Sequence, residues 1–169
     1  QAKVEVTAAG YDAATKQLIS NPSSIAMYAR PVTQQELEDM RQAGLKRPMA
    51  FTVAREALAV FVNSSNPIKP LHVIARTEES GTQLFLSQFV FQNSSMRPPT
   101  SSHPSNAEVL QAVSADPQGI AICGYRSSGR AVKPLPLALG GSIIACDDLS
   151  VLSGRYPLMR PLTLVVDLG

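Results

Sequence analysis

His72-Val-Ile-Ala-Arg76-Thr-Glu-Glu-Ser80-Gly-Thr82 reads as a β-strand that runs through a short polar loop into the first turn of a helix. Of Leu84, Phe85, Gln88 and Phe89, which follow at helical spacing, three are apolar, so the helix is expected to reach about Phe91. The first amides of a helix have no partner within it, and they sit at the positive end of its dipole. An oxyanion can accept hydrogen bonds from them where small residues permit close approach. Gly81 offers no side chain to obstruct it, Ser80 and Thr82 add hydroxyls, and Arg76 can give two parallel charged hydrogen bonds. Ser80-Gly-Thr-Gln83 is equally a capping box that requires no ligand, and Arg76 has Glu78 and Glu79 beside it as neutralising partners.

Outward from this segment, short apolar strands alternate with amphipathic helical stretches, the pattern of an α/β fold. Upstream, Val4–Thr7 and Ile25–Met27 are expected strands. A helix over Asp12–Ser20 is stopped by Asn21-Pro22. Thr33-Gln-Gln-Glu36 is a capping box for the next helix, Val32 and Leu37 have the spacing of a hydrophobic staple, and Gly44 sits where a helix-ending glycine belongs. Ala57–Val62 is a continuous apolar run expected to be buried on both faces. Downstream, Asn93–Pro104 is rich in Ser, Pro and Thr and reads as a loop, and Ser105-Asn-Ala-Glu108 is a further capping box. Gly119–Tyr125 is a strand, Val132–Leu137 with its two prolines an edge strand or extended connection, and Leu162–Val166 the last strand. Asp147-Asp148 reads as a solvated turn, and Tyr156 and Arg160 as hinge and packing residues.

The 169 residues, 44% hydrophobic and 17% charged, suit a folded chain with a real core. A net charge of +2 from scattered basic residues does not indicate nucleic-acid binding. No apolar run is long enough to span a bilayer as a helix. His72 and His103 are isolated, with no Ser-His-acid order, paired carboxylates or metal-ligand spacing, so neither catalysis nor a metal or cofactor is expected. Cys123 and Cys146 are compatible with one disulfide in an exported protein or with two buried thiols. The start at Gln1 reads as a processed or trimmed N-terminus, with a signal peptide already removed.

The Arg-x-acid-x-Ser-Gly-Thr run at Arg76–Thr82 resembles the anion-binding signature of the phosphate receptors of bacterial ABC transporters. Ser24–Val32 followed by the Thr33 capping box, Glu56–Asn63 with Asn66-Pro67, Asp116–Tyr125, Val132–Leu135 and Tyr156–Leu162 resemble other segments of that family in the same order, from about Val4 to Val166. The resemblance implies a periplasmic-binding-protein-like α/β fold of two lobes with a hinge. The first lobe, residues 1–58, would be incomplete, the second would span 59–155, and 156–169 would return to the first. It implies a phosphate or similar oxyanion held by Arg76, Ser80, Gly81 and Thr82, with Glu78 at the position of an acidic acceptor and Gly10 and Tyr11 facing from the first lobe. It implies a periplasmic or extracellular location and a transporter permease as partner. The chain departs from the family in several places. It lacks the initial strand and helix and has no serine in the turn Ala9-Gly-Tyr-Asp12. Ala29 stands where a hydroxyl or carboxylate is usual, and there is neither an inserted helix nor a Trp between Pro67 and Arg76. These losses fall on the first-lobe half of the site. They leave as the alternative an interaction or sensory module with weak or no phosphate binding.

Overall fold

The computed structural model describes residues 3–66, 71–94, 98–127, 129 and 131–169. The chain opens with α1 (Tyr11–Ser20), β1 (Ala26–Tyr28), α2 (Gln34–Gln42) and β2 (Pro48–Asn63). In α2 the capping box forms as expected: Thr33 Oγ1 accepts from the Glu36 amide at 3.2 Å, and the Thr33 amide donates to Glu36 Oε2 at 2.8 Å. Just past the helix, Gly44 takes φ +114°, a conformation that a side chain disfavours. Lys3–Gly10 forms no strand. The alternation of Val4 and Val6 is strand-like, but no neighbouring strand supplies hydrogen bonds, and both valines are exposed.

The sixteen-residue β2 organises everything else. From Pro48 to Ala57 it pairs antiparallel with β9 (Met159–Asp167), and β9 carries β1 on its other side. From Leu58 onward β2 changes partners, to β5 (Gly119–Gly124) on one side and β6 (Val132–Leu135) on the other. Beside β5 lie β3 (His72–Arg76) and then β4 (Ser101–His103), both pairings parallel. β7 (Leu137–Leu139) and β8 (Ser142–Ile144) form a separate hairpin. β6 ends the second set of strands, as its proline predicts, because an edge position needs no donor on one side.

Two sets of buried side chains match the two sets of partners. Leu18, Tyr28, Leu37, Met40, Leu45 and Val165 pack where α1 and α2 cover the first strands. Phe61, Ile74, Val109, Val113, Cys123 and Tyr156 pack where α4 (Asn106–Ala115) covers the second. Leu58 faces the other way, onto Phe85 and Leu86. Phe61, Leu58 and Val113 are wholly inaccessible, and side chains of this kind each contribute roughly 1.5–3 kcal/mol by burial.

The helix after Ser80 is not uniform. α3 (Gly81–Phe85) passes directly into a π-helical turn over Leu86–Val90, and Gln92 and Asn93 then take left-handed φ of 50° and 58°. Widening the last turn ends the helix without a glycine. Within Asn93–Pro104, Ser101–His103 forms the short β4, and residues 95–97 of that stretch lie outside the described residues. Asp147, exposed in the bend before α5 (Asp148–Leu152), caps that helix by accepting from the Ser150 amide at 2.7 Å. Cys123 and Cys146 share one core but remain unpaired thiols, so the disulfide alternative is set aside.

Candidate functional site

Ser80 ends the loop that leaves β3 and opens α3. Its amide donates to the Thr77 carbonyl at 3.0 Å, and its hydroxyl accepts from the Gln83 amide at 3.1 Å, so the capping role is realised. Gly81 and Thr82 are the first two residues of α3, whose amides have no acceptor inside the helix. Across from this loop, Gly10 caps α1 without any side-chain hydrogen bond, so the amides of that ten-residue helix after Tyr11, within its first turn, have no side-chain cap. The two helix starts are close together. The Tyr11 amide points at the Glu79 carbonyl at 3.5 Å, a methyl group on Gly10 would lie 3.0 Å from Glu79 Cγ, and one on Gly81 would lie 3.2 Å from Ala29 Cβ.

Between them is a pocket of about 110 Å³ lined by Gly10, Tyr11, Tyr28, Ala29, Arg30 and Gly81, among others. Arg30 is its charged member, and reading the sequence did not single it out. Only 2% exposed, it pairs with Glu36 through Nη2 and, at 3.1 Å, through Nη1. Its guanidinium lies 4.1 Å from the Tyr11 ring centroid, and among the described residues nothing accepts from its Nε. Burial raises the Glu36 carboxyl, but hydrogen bonds from Arg30 and from the Thr33 amide outweigh it and bring the group down to about 2. Burial, followed by the hydrogen bond to Glu36, pushes Tyr11 up to about 12. The wall therefore carries a fixed cation whose counter-ion already accepts from Arg30, Thr33 and Tyr11.

The remaining residues expected from the sequence do not line this pocket. Arg76 turns toward the start of α4, where Nη1 donates to Asn106 Oδ1 at 2.7 Å and Nη2 to the Pro104 carbonyl at 2.6 Å. Its Nε is buried without a partner among the described residues. Burial pulls the Arg76 pKa down, with the Arg160 charge acting in the same direction. Thr82, 2% exposed, accepts a hydrogen bond from Arg160 at 2.9 Å. Glu78 is exposed and lies in neither group. The structure thus brings Gly10, Tyr11 and Gly81 around one pocket, keeps Arg76 and Thr82 out of its lining, and leaves Glu78 in solvent. A larger cavity of about 200 Å³, lined by Val60, Val73, Leu86, Phe91 and Ile122 among others, has a largely apolar wall, and Arg76 and Gln83 are its polar lining residues. Among the described residues no three His, Cys, Asp or Glu side chains converge as a metal site would require.

No family model matches the chain. The phosphate-binding protein PstS of Pseudomonas aeruginosa is 25% identical over 204 aligned positions, which take in 97% of this chain and 63% of that protein. This chain therefore spans less than two thirds of that relative's length. A putative phosphate ABC transporter substrate-binding protein from Clostridium perfringens, solved with bound phosphate, superposes with a TM-score of 0.70 at 18% identity, over 94% of this chain and 72% of that one. An ABC-type phosphate transport receptor from Vibrio cholerae gives 0.65 at 18%, over 93% and 72%. No helix among the described residues is long and apolar enough to cross a membrane. Along nearly its whole length this chain is thus similar in sequence to a phosphate-binding protein, and it has the periplasmic-binding-protein fold.

Proposed function

We propose that this chain binds an inorganic oxyanion, phosphate first, as the solute receptor of an ABC-type uptake system outside the cytoplasmic membrane, without catalysing a reaction. The observation that carries the proposal is the pocket in which the uncapped start of α1 and the start of α3 face each other beside the buried Arg30. Two helix N-termini and a guanidinium with a spare donor supply converging hydrogen bonds and positive potential, which is what a small oxyanion requires. Residues 1–58 with the return strand supply Gly10, Tyr11 and Arg30, and residues 59–155 supply Arg76 and Ser80–Thr82, so the ligand lies between the two proposed lobes. Arg76 and Arg160 add two further cations near the loop, of which Arg160 is paired with Glu56.

Calorimetric titration with phosphate tests the proposal. Arg76→Met removes one cation and is expected to weaken binding roughly ten- to a hundredfold. Gly81→Val narrows the pocket against Ala29 and is expected to abolish uptake while leaving every charge in place. The alternative, an interaction or sensory module, rests on the direct approach of Ala29 to Gly81, where the family usually has a polar side chain. Absence of phosphate uptake by the native protein, or a native-like response from Gly81→Val, favours that alternative and refutes the receptor proposal.

A further inference from the structure

Met27, Leu164 and Phe51 stand in one row across β1, β9 and β2, and Val166 and Met49 form the next. Cross-strand partners share a face, and residues two apart along a strand return to it, so both rows point the same way. The row between them, Ala26–Val165–Ala50, points the other way, into the side chains of α1 and α2 such as Leu18, Leu37 and Met40. Every side chain in the two outward rows is apolar, yet this face is open to solvent. Met27 is 61% and Phe51 44% exposed, and Ile25, just before β1, and Val53, at the register shift in β2, are 63% and 54% exposed. A sheet with one solvated face alternates apolar and polar residues, whereas one covered on both sides reads as nearly continuous apolar runs. Ile25-Ala-Met27, Met49-Ala-Phe51 and Leu164-Val-Val166 have the second pattern.

We propose that this face is the interface of a homodimer, covered by the same rows of a second copy of the chain about a two-fold axis. With side chains of this size presenting on the order of 100 Å² each, the face offers roughly 500 Å², toward the top of what a monomer leaves in one apolar patch. Doubled by a second copy, it reaches about 1,000 Å², where a specific interface begins. A charged partner would find no counter-charge in the rows, whereas an apolar face complements itself, as a two-fold interface requires. Met27 and Phe51, on either side of the half-buried Leu164, are the large anchors of the contact. An interface of this size makes a reversible dimer and not an obligate one. The inference is independent of the anion-binding reading, and its test needs no phosphate.

Sedimentation velocity on the native chain, from low to high micromolar concentration, tests the dimer. The expected result is a concentration-dependent shift from the 18.0 kDa monomer to a species of twice that mass. Phe51→Glu and Met27→Glu each place an unpaired charge in the contact and are expected to weaken association roughly a hundredfold, leaving monomer throughout that range. Both positions are exposed in the single chain, so circular dichroism should show the native fold in each variant. Should either fail to fold, Phe51→Ser, which removes apolar area without adding charge, takes its place. Leu149→Glu alters an exposed leucine of α5, outside the face, and is expected to dimerise as the native chain does. A native chain that stays monomeric throughout, or a dimer that persists in both Phe51→Glu and Met27→Glu, overturns the proposal. A monomeric native chain that binds phosphatidylcholine vesicles, and loses them on Phe51→Glu, assigns the face to a lipid surface and overturns it equally.

Discussion

Replacing Glu36 by Gln probes the least replaceable charge in the first set of strands. The amide oxygen of Gln can still accept from the Thr33 amide, so the cap of α2 survives and the change isolates the charge. Arg30 stays 2% exposed but loses its counter-ion, and leaving one member of a buried pair unmatched costs about 3–5 kcal/mol. The titration of Glu36 gives an independent figure. Its carboxyl lies at about 2, against an ordinary 4.5, which corresponds to about 3 kcal/mol of native stability at neutral pH. Because the folded-state value is depressed, that stabilisation is present above about pH 4.5 and is lost as the pH falls toward about 2. Urea unfolding at pH 7 should therefore show Glu36→Gln less stable by about 3 kcal/mol, with an unchanged denaturant slope. At pH 3 the gap should shrink to roughly half or less, because only the native protein loses this contribution on acidification. A gap below about 1 kcal/mol at pH 7, or one that stays constant down to pH 3, would refute the pairing as described.

Gly44→Ala should cost about 1 kcal/mol in thermal unfolding: φ is +114° and nothing lies within 4 Å, so the loss is conformational and not steric. Cys123, whose thiol burial pushes up to about 12, and Cys146, likewise raised by burial, should resist a thiol reagent in the native protein and both react once it is denatured. Reducing agent should leave the melting temperature unchanged, and a drop on reduction would reinstate the disulfide.

The elements that local chemistry determines could be read from the chain. Thr33 and Ser105 start their helices with side-chain oxygens, Gly44 terminates α2, and the two prolines put β6 at an edge, each for reasons contained within a few residues. Where an element depends on a distant partner, sequence pattern was insufficient. Val4–Thr7 has strand alternation but no neighbour to pair with. Ala57–Val62 was visible as a buried run, whereas the exposed half of the same strand, Phe51–Arg55, owes its existence to β9, more than a hundred residues away. The π-helical turn at Leu86–Val90 has no sequence pattern distinct from that of an α-helix, so the helix was expected to be regular.

The site divides in the same way. Ser80, Gly81 and Thr82 stand out because a helix start, a missing side chain and two hydroxyls fall on three adjacent residues. Arg30 does not stand out, because Arg-Pro reads as the end of a strand and Glu36 is already accounted for as half of a cap. Yet Glu36 serves both purposes at once, and the second use fixes a guanidinium in the pocket wall beside Ala29, where a polar side chain is lacking. Glu56 and Arg160 each lie within a largely apolar strand, and a buried charge in such a strand implies a partner. The partner's identity lies in the antiparallel register, which neither segment contains alone. The charges of the site are thus held across strands and turns, and its hydrogen-bond donors are supplied locally by helix starts. Blocking a helix start, as Gly81→Val does, should therefore weaken ligand more than fold, and removing a charge such as that of Glu36 should weaken the fold first.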